Sequence, residues 1–441
     1  MIKIGFILPS SEYLFDPFKG DPHTHFQILT VLEHVFGNEL KLSLIDLRGI
    51  KTDFAVYHIP ECDIYLHSVY TLDWNEQTSI VKNLRERYPH SKHIAGGPHA
   101  TVFQKESLAY FDALIIGDGE EQIVKAINDF KNNCMEKLYE EKMIIDINRY
   151  PFPKRDFLPK SAIARKGLMT LKNKKGFDQL PGTTVIFSRG CPYDCYFCAM
   201  PEVKKYCPGV RYRKPEFVKK EINYLQDVYG LKGISLLDEI GIPPGKDNAI
   251  KHLKAIGNTG ILWRGQCRVD GVTPETAVLL KDSGCITMCL GVESACQRSL
   301  DIINKKIQVE KAKQTIKLLE QNGIECRVYM ILGLPGEPEN IVDITWEFIE
   351  ETKPALVYLS ILTVRPGTEL YNHPNKFAMK NITTDWSKTM HMYGRYGEEI
   401  PSLTFEYQDI APWGKTFSQK QIVDNYLELQ QRLQKAGLSR L

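Results

Sequence analysis

The sequence predicts an α/β protein with two parallel-sheet units in series and a short helical extension at the end. Three observations carry that reading. Short apolar runs alternate with helix-period segments along most of the chain, the pattern of parallel strands covered by helices. The alternation breaks between about 131 and 182, where Pro151, Pro153, Pro159 and Pro181 join a Lys-rich stretch. At 441 residues, the chain is also longer than one hydrophobic core usually serves.

In the first unit, residues 1–130, strands are expected at Lys3 to Leu8, Leu42 to Leu47, Ile64 to Val69, His93 to Ala95 and Ala113 to Ile116. Between them, Gln27 to Val35 sets Ile28, Leu29, Val31, Leu32 and Val35 at helical spacing, and Val81 to Tyr88 is a second such segment. The result is a doubly wound, Rossmann-like domain. Residues 131–182 read as a linker packed on the surface. In the second unit, residues 183–372, strands are expected at Thr183 to Phe187, Gly233 to Leu237, Ile261 to Gln266, Ile286 to Leu290, Glu325 to Leu332 and Leu356 to Leu362. Helical segments separate them at Pro215 to Val228, Lys246 to Ala255, Pro274 to Ser283, Gln308 to Asn322 and Asn340 to Thr352. Six strand-helix units suit a partial (β/α)6 barrel of TIM type, with its active site at the C-terminal ends of the strands. Residues 373–441 form the C-terminal extension, which ends in an amphipathic helix, Ser418 to Gln434.

With 56 basic and 54 acidic residues, the chain offers no charge excess to attract nucleic acid or an anionic membrane. The expected substrate is therefore a small molecule or a peptide. Eleven cysteines in a chain this long fall far below the density of a disulfide scaffold. The apolar run Ile4 to Pro9 is too short for a signal segment or membrane span, and no stretch approaches the ~18 apolar residues that a spanning helix needs. A cytoplasmic protein with reduced thiols is expected.

Directly after the first expected barrel strand runs Arg189-Gly190-Cys191-Pro192-Tyr193-Asp194-Cys195-Tyr196-Phe197-Cys198. Three thiolates at this spacing wrap one loop around three irons of a [4Fe-4S] cube and leave the fourth iron open. The amino and carboxylate groups of S-adenosylmethionine (SAM) can chelate that iron, so that an electron from the cluster cleaves a carbon-sulfur bond and releases a 5'-deoxyadenosyl radical. Structural zinc would instead ask for paired C-x2-C knuckles and four closed ligands.

On this C-x3-C-x2-C loop the chain resembles the radical SAM superfamily. Arg211-Tyr212-Arg213-Lys214-Pro215-Glu216, followed by Glu221-Ile222, resembles the subgroup that carries an N-terminal cobalamin-binding domain. Gly291-Val292-Glu293-Ser294 and Gly333-Leu334-Pro335-Gly336-Glu337 end the fourth and fifth barrel strands, as the family expects. The resemblance implies one [4Fe-4S] cluster on Cys191, Cys195 and Cys198, with Phe197 near the adenine. It implies SAM contacts from Gly291, Glu293, Ser294 and Gly333, and an external electron donor of flavodoxin or ferredoxin type. Asp238 and Glu239 end the second strand, where the family positions groups for the methionine ammonium, although the Gly-Gly-Glu form is missing here.

The residues keep alternatives open. Glu293 at a strand end suits ribose hydroxyls or an ammonium, or else a helix N-cap. Gly333 and Gly336 suit close approach of a cofactor or a turn. Arg264 and Arg268 suit the methionine carboxylate, a substrate anion or a surface ion pair. Tyr329, Tyr358, His391 and Tyr393 suit the barrel interior, mouth or lid, or plain packing. No other cysteine group has cluster spacing, so the remaining eight read as buried small residues.

The first unit lacks G-x-G-x-x-G after its first strand. Its glycines close later strands, in Ala95-Gly96-Gly97-Pro98-His99 and Gly117-Asp118-Gly119-Glu120. These positions resemble the subgroup's cobalamin domains, which implies contacts to a corrinoid's nucleotide tail from Ser68, Gly96, Gly97, Gly117, Gly119 and Glu120. Cobalt-ligating domains use D-x-H-x-x-G, whereas Asp21-Pro22-His23-Thr24-His25-Phe26 supplies Asp and His but Phe for Gly. No histidine is therefore expected on cobalt, and Asp21 reads as a helix cap. The expected activity is cobalamin-dependent methylation of an unactivated carbon. The alternatives are a non-methylating radical dehydration, deoxygenation, rearrangement or oxidation, and a non-catalytic iron-sulfur redox or sensor protein.

Overall fold

The computed structural model describes residues 1–14, 16–140, 144–172, 174–386 and 401–439. His391 and Tyr393 lie outside the described residues.

The first sheet consists of β1 (Ile2–Leu8), β2 (Leu40–Asp46), β3 (Ile64–Ser68), β4 (Lys92–Gly96), β5 (Ala113–Ile116) and β6 (Leu138–Glu140). All neighbours pair in parallel, in the order β2-β1-β3-β4-β5-β6. Alternate residues feed opposite faces, as the two-residue period of a strand requires. Ile4, Phe6, Ile64, Leu66, Ile94 and Ile115 meet α1 (His23–Phe36) and α3 (Glu120–Lys131) on one face. Ile7 and Tyr65, with Ala95 and Leu114 farther along, meet α2 (Trp74–Arg87) on the other.

The second sheet is β7 (Gly182–Val185), β8 (Gly233–Leu236), β9 (Leu262–Cys267), β10 (Cys285–Glu293), β11 (Glu325–Leu332) and β12 (Leu356–Ile361). Its order follows the sequence and every pairing is parallel. Its helices are α4 (Pro215–Tyr229), α5 (Lys246–Gly257), α6 (Pro274–Asp282), α7 (Val309–Gln321) and α8 (Ile341–Thr352). They enclose one core that runs from Val185 to Leu433.

The structure refines the reading of residues 131–182 in two ways. Leu138–Glu140 is a sixth strand of the first sheet, a run of three residues too short to show a period. Most of the segment lies on the surface, as expected, but it sends a few side chains inward: Arg155, Ile163 and Met169 are fully covered. Arg155 is tied to Glu221 at 3.1 Å, as a buried guanidinium must be. Met169 packs under the barrel at Gly233, where a Cβ would collide with its side chain.

The extension is likewise less purely helical than expected. Two short antiparallel pairs, Met379–Lys380 with Glu406–Tyr407 and Ile410–Ala411 with Gly414–Lys415, precede α9 (Gln419–Lys435). A capping box starts α9: the Gln421 amide donates to Ser418 Oγ, and the Ser418 amide to Gln421 Oε1 at 2.9 Å. Ile422, Leu429 and Leu433 then bury against the barrel.

Candidate functional site

The cysteine loop leaves and re-enters the barrel through a stem. Ser188–Arg189 pairs antiparallel with Arg211–Tyr212, so residues 190–210 form one excursion holding Cys191, Cys195 and Cys198. Gly190 has φ +92°, and a Cβ there would collide with the carbonyl oxygen of Gly209. Cys195 is buried; Cys191 and Cys198 are half-buried.

Side and main chain pin the loop from several directions. Tyr196 N donates to Ile303 O at 2.9 Å, Asn304 Nδ2 to Asp194 O at 2.7 Å, and Lys204 Nζ to Tyr193 O at 2.8 Å. Two donors face the sulfurs: Arg268 Nη1 lies 3.6 Å from Cys195 Sγ, and Met200 N lies 3.5 Å from Cys198 Sγ. Such donors stabilise thiolate and tune a cluster's potential. Among the described residues, no three His, Cys, Asp or Glu side chains close on a single metal ion. Cys191 and Cys198 each feel Cys195 electrostatically, which suits three thiolates sharing one larger group.

Beside this loop, β10 ends in a bulge. The β10–β11 register shifts between Gly291 and Glu293, and Glu293 takes φ +69°. Its Oε1 accepts from Lys305 Nζ at 2.7 Å, both side chains being nearly buried. The Lys305 ammonium lies 5.7 Å from the centre of the Phe197 ring. Glu293 Oε2 has no protein donor among the described residues, which leaves an acceptor for ribose hydroxyls or an ammonium. Gly291 serves this pair, since a Cβ there would stand 2.6 Å from Glu293 Oε1 and 3.0 Å from Lys305 Nζ. Ser294 Oγ accepts the amide of Cys296 at 3.1 Å and holds the following turn. Lys305 escaped the sequence reading because Asn304-Lys305-Lys306 looks like any solvated charged turn.

Other expected SAM contacts are spent elsewhere. Arg268 donates to Asp270 at 3.0 Å and to Lys305 O at 2.7 Å, and stacks 3.7 Å above the Tyr193 ring. Its donors belong to the cluster loop, not to a ligand carboxylate. Arg264 donates to Leu168 O at 3.2 Å, within the segment that passes under the barrel, away from the loop. Asp238 accepts Phe187 N at 2.8 Å and Ser188 Oγ at 2.7 Å, so it fixes the start of the stem. Burial pushes its carboxyl up to about 7. Glu239 differs: it lines the interdomain cavity described below, and burial raises its carboxyl. Gly333 is not open to a cofactor, because a Cβ there would meet Ile422 at 2.9 Å and its amide is taken by Glu337 Oε2 at 2.9 Å. Gly336 likewise turns the chain against Ile302. Tyr329 and Tyr358 stack in the sheet at 5.3 Å between centroids.

The C-terminal edges of the two sheets face one cavity of about 700 Å³. Ser68, Gly96, Gly97, Gly117 and Gly119 line it from the first sheet; Gly190, Met200, Leu237 and Glu239 line it from the barrel side. Gly97 has φ +94° and its Cβ would press on Val69 N and O at about 3 Å, so only glycine closes that turn. His23 also lines the cavity, but its Nε2 is hydrogen-bonded to Thr184 Oγ1 at 2.8 Å. Asp21 is not a helix cap: it accepts Thr184 N at 2.8 Å and pairs with Arg165 at 2.9 Å, which joins the two units. Glu120 is corrected too. Its carboxylate accepts Arg189 Nη2 at 2.6 Å, an ion pair across the domain boundary, so its main partner is protein while it still lines the cavity. Burial alone would raise that carboxyl, yet Arg189 holds it below the usual range.

Residues 185–349, from the end of β7 into α8, match the Radical SAM superfamily. Those residues form a radical SAM domain. As a radical SAM enzyme it uses a [4Fe-4S] cluster and SAM, and the excursion after β7 carries the three cysteines of the C-x3-C-x2-C spacing. An uncharacterized methyltransferase of Pyrococcus horikoshii is 27% identical over 374 residues, covering 79% of this chain and 75% of that protein. The anaerobic magnesium-protoporphyrin IX monomethyl ester cyclase of Rubrivivax gelatinosus is 26% identical over 303 residues. That alignment covers 63% of this chain and only 52% of the cyclase. Among solved structures, the radical SAM methyltransferase TsrM from Kitasatospora setae, with cobalamin and a [4Fe-4S] cluster bound, superposes with a TM-score of 0.67. It covers 87% of this chain and 81% of its own at 14% identity, a likeness of fold.

Proposed function

We propose that this radical SAM enzyme methylates an unactivated carbon of a small molecule or peptide, with a corrinoid held in the interdomain cavity. One observation carries the reading: both sheets turn their C-terminal edges onto the same space, and Gly190 and Met200 of the cluster loop stand in its wall. Ligands bind at such edges in open parallel sheets and in barrels alike. When bound, the cluster and SAM supply a 5'-deoxyadenosyl radical that takes hydrogen from carbon, and the corrinoid supplies the methyl group.

The chain's own residues then have separate tasks. Cys191, Cys195 and Cys198 hold the cluster, and Arg268 steadies their loop. Glu293, kept in place by Lys305, accepts hydrogen bonds from SAM, with Phe197 along the adenine. Ser68 and the turns at Gly96-Gly97 and Gly117 to Gly119 give the corrinoid tail a wall of backbone. His23, bonded to Thr184, is not a cobalt ligand. An external flavodoxin- or ferredoxin-type donor supplies the electron. All eleven cysteines are unpaired, which suits the reducing cytoplasm. No helix among the described residues is long and apolar enough to cross a membrane.

The methyltransferase of Pyrococcus horikoshii and the cobalamin-bearing TsrM support methylation. The cyclase match favours the second reading, a radical reaction without methyl transfer. A non-catalytic redox or sensor protein would have no use for the Glu293–Lys305 pair beside the cluster loop. Anaerobic incubation with reductant, SAM carrying a deuterated methyl group and hydroxocobalamin distinguishes the three. 5'-Deoxyadenosine with a labelled methyl product is expected. 5'-Deoxyadenosine without label transfer selects the second reading, and no 5'-deoxyadenosine removes catalysis.

A further inference from the structure

The two arginines at the stem of the cluster loop are register partners, Arg189 opposite Arg211, and every cluster cysteine lies between them in the chain. Both point at one turn of the other domain. Arg189 Nη1 donates to Asp118 Oδ1 at 3.0 Å and to Glu120 Oε2 at 3.2 Å, while Nη2 donates to Glu120 Oε1 at 2.6 Å. Arg211 pairs with the second oxygen of Asp118. Glu120, Arg211 and Asp118 are nearly buried, their side chains being 5%, 8% and 11% exposed. The same turn touches the returning arm of the loop, because a Cβ on Gly117 would lie 3.1 Å from Cys207 Sγ. Asp118, Glu120, Arg189 and Arg211 all line the interdomain cavity.

We propose that this four-residue clamp positions the cluster loop from the cavity wall, so that corrinoid binding and SAM binding affect one another. Three nearly buried charges and a half-buried one are a poor way to gain stability, since desolvation offsets most of the attraction. The forked guanidinium of Arg189, set against two carboxylates with Arg211 as a second charge beside Asp118, supplies register instead. A ligand resting on the Gly117–Glu120 turn shifts the carboxylates, the carboxylates hold the stem, and the stem sets where the three cysteines stand. Arg189 and Glu120 are thus positioning residues, and the coupling must be equal in both directions. The corrinoid half of the inference rests on the reading of the cavity proposed above; the clamp itself rests on the stem geometry.

Two measurements on anaerobically reconstituted protein test it. Hydroxocobalamin is titrated by absorbance with and without saturating SAM, and SAM with and without hydroxocobalamin. The wild type should show the same factor in both directions, about tenfold. Glu120→Gln and Arg189→Lys should each bring the factor to within about twofold of unity, and the double variant should add little to either. Separately and without corrinoid, the electron paramagnetic resonance spectrum of the reduced, SAM-bound cluster should shift in both variants while iron stays at about four per chain. A wild-type factor of one with both ligands bound overturns the coupling. Unchanged factors and spectra in iron-replete variants reduce the clamp to a structural contact. If the wild type takes up no hydroxocobalamin, the corrinoid reading of the cavity fails, and unshifted spectra then overturn the clamp as well.

Discussion

The two sheets are built alike and used differently. Each has six parallel strands flanked by helices, but the first runs β2-β1-β3-β4-β5-β6 and reverses direction beside β1, whereas the barrel sheet follows the chain in order. A reversal opens a crevice at the strand ends of a flat sheet, while curvature draws the strand ends of a barrel toward one another. The first sheet brings Gly96, Gly97, Gly117 and Gly119 to the cavity beside apolar side chains such as Leu66, Ile94 and Ile115, and the barrel side brings Leu237 and Glu239. The charged groups at the end of β5, Asp118 and Glu120, are consumed by arginines of the barrel stem. Under the proposed function, one domain acts as a wall and the other carries the reactive groups.

The sharpest division between the two comes from Cys195→Ala. It should abolish cluster assembly and reduce 5'-deoxyadenosine to background, while hydroxocobalamin still titrates into the cavity. Parallel loss of corrinoid binding, measured by absorbance, would mean that the wall does not stand without the cluster loop.

Leu237→Trp approaches the cavity from the barrel side. Leu237 is 43% exposed and points into open space, so the larger ring fills the cavity without a backbone clash. Corrinoid affinity should fall by about tenfold or more, equivalent to roughly 1.4 kcal/mol, with iron content unchanged. Gly97→Trp is the cruder version, because its Cβ would strike the Val69 backbone and strain the domain itself.

Glu293→Gln keeps the shape of the side chain but removes the charge facing Lys305. SAM binding should weaken by about 1 to 3 kcal/mol, the scale of a charge-assisted hydrogen bond, measured by isothermal titration of cluster-loaded protein. Unaltered affinity would make Glu293 a partner of Lys305 and nothing more.

The last effect is a pH dependence, which acts on stability and leaves the site's ligands aside. Glu337 accepts the amides of Gly333 and Leu334 at 2.9 and 3.1 Å, and burial pushes its carboxyl up to about 8. The folded chain keeps that proton to about pH 8, whereas the unfolded chain gives it up near the ordinary 4.5. The folded state thus binds more protons between those values. Its contribution is complete below about 4.5 and is lost as pH rises through about 8. Thermal melts should show the wild type losing stability relative to Glu337→Gln across this window, at no more than about 1.4 kcal/mol per pH unit.

Much of this was legible before any coordinates. The strands of both sheets fall within a few residues of where alternating apolar runs place them, because a strand or helix buries its own residues at a fixed period. Cys191, Cys195 and Cys198 stood out by their spacing alone, and their cluster role is the proposal that Cys195→Ala tests. Leu138–Glu140 did not declare itself, since three residues carry no period, and within the exposed Lys-rich segment nothing marked Met169 as the side chain that packs under the barrel.

Charged residues divide along the same line. That Arg268, Glu120, Asp238 and Glu293 stand at strand ends was a property of the sequence alone, because it depends on where each periodic segment stops. Which of them remain open to a ligand was decided only by tertiary structure. Arg268 finds Cys195 73 residues away, and Glu120 finds Arg189 69 residues away. Lys305 reaches Glu293 only because β10 ends in a bulge that turns the carboxylate toward it. A carboxylate or guanidinium has the same local pattern whether it is free or paired, and the partner that removes it from solvent is fixed by the packing of distant elements.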